Sequence, residues 1–97
     1  MSEISLNRGD QERILEVTKA ISSATRFRIL TFLQEEELDI STLAEKLEQT
    51  EANVSAQVKQ LERAKLVESR YTPGEHGVRK ICKTAMTRII IDIATDK

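Results

Sequence analysis

The hydrophobic period of this chain changes once, at Leu66. Up to that point apolar residues recur at three- and four-residue intervals, the spacing that lines one face of an α-helix. Beyond it, Leu66–Thr72 and Val78–Lys83 are rich in β-branched and alternating residues, the spacing of strands. Between these two segments lies Pro73-Gly74-Glu75-His76-Gly77, which holds the only proline and two of the three glycines. A turn there closes a β-hairpin. The order of periods therefore predicts a helical body followed by a small hairpin, mainly α in class.

With 97 residues the chain has room for one domain, expected over 10–94, with 1–9 and 95–97 as loose ends. A domain of this size buries only roughly 60–65% of the surface its unfolded chain exposes. Self-association would add what a modest core lacks. Aromatic residues are only 3%, so the core must be aliphatic and no surface for stacking bases on rings is expected. No apolar run approaches the ~20 residues that span a bilayer. Residues 1–7 show no basic start followed by an apolar stretch, so a cytoplasmic protein is expected. Cys82 and His76 are the only residues of their kind, too few for a four-ligand zinc site or an intrachain disulfide. Glu35-Glu36-Glu37 reads as a solvated turn. Neither a metal nor a cofactor is expected. No phosphate-cradling glycine loop or nucleophile motif occurs, so no enzymatic activity is expected.

Asp10 can cap a helix over Gln11–Ile21, with Ile14, Leu15, Thr18 and Ile21 on one face. After Ser22-Ser23, a second helix over Ala24–Gln34 carries Phe27, Ile29, Leu30, Phe32 and Leu33 around much of its circumference, which predicts a central, buried helix. Leu38-Asp39-Ile40 suits one short strand. Ser41 or Thr42 can then cap a short helix that turns Leu43, Ala44 and Leu47 inward. Thr50 caps a longer helix from Glu51 to about Lys65. Its inward stripe is Val54, Val58 and Leu61; Ala52, Ala56, Lys59 and Arg63 lie opposite, and Asn53, Ser55 and Gln60 lie on the shoulders. Residues 85–94, with Ile89, Ile90, Ile91 and Ile93, suit a third strand or a final buried helix equally.

Two helices, a short strand, two helices joined by a tight turn, and a hairpin form the order of a winged helix-turn-helix. Ala20–Leu30 resembles the "small residue, Thr-Arg, then Arg-Ile-Leu" segment of ArsR-type transcriptional regulators. Ile40–Leu47 is similar to their first helix of the helix-turn-helix. Asn53-Val54-Ser55 with Leu61–Val67 is similar to their recognition helix and its exit into the wing. The resemblance spans about residues 11–83. It implies a dimeric DNA-binding repressor that dimerises through the first helix and the C-terminal element. Here that means Ile14, Leu15 and Ile21 with Ile89, Ile90, Ile91 and Ile93. The chain departs from the family pattern at Glu48, where glycine is usual, and at Glu51, Ala52 and Ala56, which replace polar residues. The Cys-rich metal motif of many members is absent from Ser41–Leu47.

Charge is unevenly distributed. Residues 1–62 sum to −5 and residues 63–88 to +5, within a net charge of −1. A basic segment beside a helix-turn-helix suits the phosphates of double-stranded DNA. The recognition helix, about 51–65, would enter the major groove and the hairpin, about 66–83, would form the wing. On the helix the candidate contacts are Thr50, Ala52, Asn53, Ser55, Ala56, Lys59, Gln60 and Arg63. On the wing they are Arg70, His76, Arg79 and Lys80. Of these, Asn53, Ser55, Lys59 and Gln60 suit base edges, and Arg63, Arg79 and Lys80 suit phosphate. The acidic first half keeps open an alternative, a winged helix that binds protein without DNA specificity.

Overall fold

The computed structural model describes residues 2–94. Strand β1 (Glu3–Asn7) and a single 3-10 turn lead into helices α1 (Gln11–Ile21) and α2 (Ala24–Glu35). Strand β2 (Leu38–Asp39) precedes α3 (Ile40–Leu47) and α4 (Glu51–Arg63). The hairpin β3 (Val67–Gly74) and β4 (Gly77–Thr84) follows, and β5 (Arg88–Asp92) ends the described chain. The fold is the winged helix-turn-helix that the element order predicts. Residues 85–94, open between strand and helix in sequence, form a strand.

The core is aliphatic, as the composition requires. Ile29, Leu43, Leu61, Leu66, Val17, Val54, Val58 and Cys82 are wholly buried. The stripe Val54, Val58 and Leu61 turns α4 inward as expected. Helix α2 departs from expectation, because it buries only Ile29, Leu30 and Leu33. Phe27 is 54% exposed. Phe32 is half-buried under the cations of Arg28 and Lys46, which lie 5.8 and 5.6 Å from its ring centre. One side of α2 thus suffices to close this small core, and the large rings remain at the rim.

Three helix starts follow the chemistry of caps, though not always at the expected residue. Thr50 caps α4 through its hydroxyl, which accepts from the Asn53 N–H at 3.1 Å. Ser23 does the same for α2 with the Arg26 N–H. For α3 the cap is Asp39 rather than Ser41 or Thr42, since its carboxylate accepts from the Thr42 N–H at 2.8 Å. The extended Asp39 backbone lets the helix begin two or three residues earlier than a Ser41 or Thr42 cap would. Asp10 precedes α1, but its carboxylate turns back to the Asn7 N–H. Helix α4 ends at Arg63, slightly short of the expected Lys65. Ala64 is the cap and Lys65 takes φ 62°.

The wing sheet has the order β2-β4-β3 and is antiparallel. Its register pairs Tyr71 with Lys80, Arg70 with Ile81, and Gly74 with Gly77 across the Glu75-His76 tip. Arg79 and Lys83 therefore share one face, and Lys80 lies on the other with Tyr71 and Val78.

The amino-terminal segment corrects an expectation. Of the residues 1–9 expected to be loose, Glu3–Asn7 form β1, paired in parallel with β5. The register sets Ile4 beside Ile89 and Leu6 beside Ile91. The alternation of Ile4 and Leu6 is the strand signal, but five residues gain a fixed place only when the distant partner is present. Of the expected carboxy-terminal loose end, 95–97 lie outside the described residues. This two-stranded ribbon draws the molecule out to 55 × 23 × 20 Å. Its radius of gyration is 14.8 Å, against about 13 Å for a compact chain of roughly this length.

The turn between α3 and α4 depends on Glu48, which adopts φ 56°, ψ 46°. Its left-handed backbone lets the Gln49 N–H reach back to the Ala44 carbonyl at 3.0 Å. A side-chain-bearing residue here costs about 1–2 kcal/mol, while glycine loosens the unfolded chain by about 0.4–1 kcal/mol. Glu48→Gly should therefore raise stability by about 0–1.6 kcal/mol, measured by urea denaturation.

Candidate nucleic-acid interface

Because α4 buries Val54, Val58 and Leu61, its remaining surface divides into three strips. The outermost strip carries Ala52, Ala56, Lys59 and Arg63, all exposed. The small alanines leave the helix backbone open to close approach. Among the described residues, neither Lys59 nor Arg63 has an ion-pair partner.

The second strip faces the wing. Ser55 and Lys59 line a cleft of about 410 Å³ with Tyr71, Val78, Arg79 and Lys80. Lys80 is held there by Glu62 at 3.1 Å and lies 6.0 Å from the Tyr71 ring centre. Tyr71 and Val78 are 67% and 73% exposed, so the wing offers the cleft an apolar edge that charge reasoning did not single out.

The third strip faces α2 and binds the helix to its scaffold. Arg26 donates from Nε to the Ala20 carbonyl and from Nη1 to Gln57 Oε1, both at 2.7 Å. Gln57 reaches Asn53, Asn53 donates to Gln49 Oε1, and Gln49 Nε2 donates to Thr25 Oγ1 at 3.1 Å. This chain of side chains joins the α1–α2 corner to the flank of α4. Asn53, expected as a base reader, is thus already engaged within the molecule, while Gln60 is exposed without such a role. The sequence reading missed Gln57, although Gln49, Asn53 and Gln57 recur every four residues. Arg26 meets backbone carbonyls and the Gln57 amide.

The wing cations do not form one free basic patch. Arg70 pairs with Glu37 on the sheet face turned away from α4. Arg79 donates from Nε and Nη2 to Asp39 Oδ2 at 2.9 and 2.7 Å. Lys83 lies 3.7 Å from Glu68. His76 stands exposed at the wing tip and borders the same surface as Arg79 and Glu51. The interface therefore gathers Ser55, Lys59, Arg79 and Lys80, leaves Arg70 behind the sheet, and keeps His76 at its margin.

Asp39 performs two tasks in this arrangement. It caps α3 and anchors Arg79. Hydrogen bonds from the Thr42 side chain and backbone, then Arg79, hold its carboxyl below the usual carboxylate range. Burial instead pushes the Cys82 thiol up, with the Ser69 hydroxyl 3.6 Å away as a partial offset. Cys82 is a packing residue here, consistent with its place in the core.

Residues 21–70 match the model of the helix-turn-helix domain family. The chain belongs to this helix-turn-helix family. Solved structures of winged regulators superpose on most of it. HlyU from Vibrio cholerae is 24% identical with a TM-score of 0.68, over 80% of each chain. The homodimeric winged helix-turn-helix DNA-binding domain Mb0332 from Mycobacterium bovis, a possible ArsR-family regulator, is 25% identical. Its TM-score is 0.69, over 77% of this chain and 66% of that one. NolR from Sinorhizobium fredii is 21% identical with a TM-score of 0.67, over 79% and 73%. No curated protein matches by sequence. The ArsR-type resemblance is borne out, and family and fold are those of DNA-binding transcription regulators. Among the described residues no helix is long and apolar enough to cross a membrane.

The double role of Asp39 gives a pH prediction. A carboxyl whose folded pKa lies below its unfolded value of about 3.9 adds stability above that value. The contribution is lost as pH falls through the folded pKa. Asp39→Ala should cost about 0.5–2 kcal/mol at neutral pH. The gap between the variant and the parent protein should close on acidification below about pH 4, measured by urea denaturation across pH.

Proposed function

We propose that this protein is a homodimeric, sequence-specific DNA-binding repressor that presents α4 to the major groove and β3–β4 as its wing. The observation that carries the reading is the outer strip of α4. It is exposed, free of large apolar side chains, and bears two cations without ion-pair partners among the described residues. Repression is the mode that the ArsR-type resemblance implies. No step of catalysis is part of this role.

Lys59 and Arg63 supply the first phosphate contacts. Lys80 and Arg79 join them from the wing by leaving Glu62 and Asp39. Ser55 and Lys59 reach base edges from the cleft, Gln60 from the opposite shoulder of α4, and Asn53 only by giving up Gln49. Thr50 sets the start of the helix, and Ala52 and Ala56 let it sit deep. His76 contributes at the periphery, while Arg70, paired with Glu37 behind the sheet, makes no phosphate contact.

The dimer is formed through Ile14, Leu15 and Ile21 of α1 and through Ile89, Ile90, Ile91 and Ile93. Leu15 and Ile93 are 58% and 76% exposed in the single protomer. Covering a Leu or Ile side chain fully yields roughly 1.5–3 kcal/mol, so a few such residues per protomer suffice. A two-fold dimer then reads a nearly palindromic site, with recognition helices about 34 Å apart.

One feature favours the second reading, a protein-binding winged helix. Glu45, Glu48 and Glu51 line the shallow surface at the α3–α4 turn, where DNA phosphates would be repelled. Fluorescence anisotropy with random duplex DNA decides between the two. Under the DNA reading, affinity falls steeply between 20 and 300 mM salt. Lys59→Ala and Arg63→Ala each reduce the salt slope by about 0.9, while Arg70→Ala leaves it unchanged. Affinity that is indifferent to salt would return the interface to a protein partner.

A further inference from the structure

The ribbon β1–β5 is an unfinished sheet. Two strands alone are marginal in water, and an open edge is a template for another strand. Among the described residues, β5 pairs only with β1, so its second edge is open. The sequence of that strand, Arg88-Ile89-Ile90-Ile91-Asp92, has a symmetry of charge about Ile90.

We propose that β5 pairs antiparallel with β5 of a second copy, about a two-fold axis at Ile90, completing a four-stranded sheet in the order β1-β5-β5-β1. This rests on the homodimer reading and gives it a geometry. Antiparallel pairing centred on Ile90 sets Arg88 of one protomer opposite Asp92 of its partner, twice by symmetry. Both residues lie on the same face as Ile90. Opposite charges across strands favour the register. Arg88 already lies 3.3 Å from Glu3 on its other side. The row across the sheet would then run from carboxylate to guanidinium to carboxylate. Asp92 has no cation of its own among the described residues, and its Oδ1 accepts only from the Ala94 N–H at 3.0 Å. The partner supplies the missing charge.

The opposite face gains as well. Ile4, Leu6, Ile89 and Ile91 form one apolar face of the ribbon in each copy, and Ile4, Leu6 and Ile89 already pack against that copy's own core. Pairing about Ile90 sets Ile89 beside Ile91 of the partner, so the two faces fuse into one surface of eight side chains. The outer edge of β1 offers no such match. Antiparallel pairing about Ser5 would set Glu3 against Asn7. The chemistry selects β5.

A cysteine at the axis tests this. Facing residues of an antiparallel pair have Cα atoms about 4.5–5.5 Å apart, within the range a disulfide spans. Ile90→Cys should therefore give a covalent dimer under mild oxidation, seen by non-reducing electrophoresis and reversed by reductant. Wild type, whose Cys82 is buried, should remain uncrosslinked. Ser5→Cys lies in the same row but about 14 Å from its symmetry mate across three strand spacings, and should not crosslink. Asp92→Arg should raise the dimer dissociation constant at least tenfold in sedimentation. Mixing it with Arg88→Asp/Glu3→Gln should restore a mixed dimer, with circular dichroism showing that each variant is folded. If wild type sediments as a dimer while Ile90→Cys stays uncrosslinked, the strand pairing is wrong and the homodimer stands. Preferential crosslinking of Ser5→Cys would move the interface to β1. A wild-type monomer at tens of micromolar would overturn both the pairing and the dimer.

Discussion

Everything that positions the interface depends on how α4 is buried. Val54, Val58 and Leu61 are completely enclosed by α2, α3 and the start of the wing. Each such side chain contributes roughly 1.5–3 kcal/mol, and together they fix the rotation of the helix about its axis. Once that rotation is set, no other choice remains for the outer residues. Ala52, Ala56, Lys59 and Arg63 must point to solvent, Ser55 must face the wing, and Asn53 and Gln57 must face α2. Arg13 adds a stop at the far end, where its Nη1 donates to the Ala64 carbonyl at 2.6 Å. The side-chain relay from Arg26 to Thr25 restrains the same rotation from the polar side.

The electrostatics follow from tertiary pairing rather than from the order of charges along the chain. An acidic first part and a basic later part suggest a free basic surface. In the fold the two neutralise one another locally: Glu37 meets Arg70, Asp39 meets Arg79, and Glu62 meets Lys80. The exposed Arg70–Glu37 pair adds only about 0–1 kcal/mol, while Asp39 and the Lys80–Glu62 pair are more buried. Their consequence is orientation. They link β3 and β4 to the segment before α3 and to the last turns of α4, and so set the orientation of the wing relative to α4.

Features that depend on neighbours in sequence were legible beforehand. The inward stripe of α4 follows from spacing, the hairpin from the proline and glycines at its tip, and the α4 cap from Thr50. Glu48 was visible as a departure, and the structure shows the left-handed backbone that makes glycine the easier residue there. Features that depend on distant partners were not legible. Glu3–Asn7 read as a loose end because their partner strand lies some eighty residues away. Asp39, Ser41 and Thr42 are all capable caps, and only the extended backbone at Asp39, fixed by its place beside β4, selects among them. The basic wing residues could be named, but which carboxylate each would meet is a property of the folded surface.

The parallel register of β1 and β5 has a consequence for the order of events in folding. Ile4 is synthesised early and its partner Ile89 late. Closing so large a loop is entropically costly, so contacts of this kind form after local ones. While the chain is being made, the helices and then the hairpin can settle with β1 still unpaired. The ribbon is therefore the last described element to form, and a nascent chain arrested before β5 would hold a nearly complete helical body with a solitary first strand. Production of this protein thus separates folding of the body from maturation of the ribbon, and the second waits until β5 has been made.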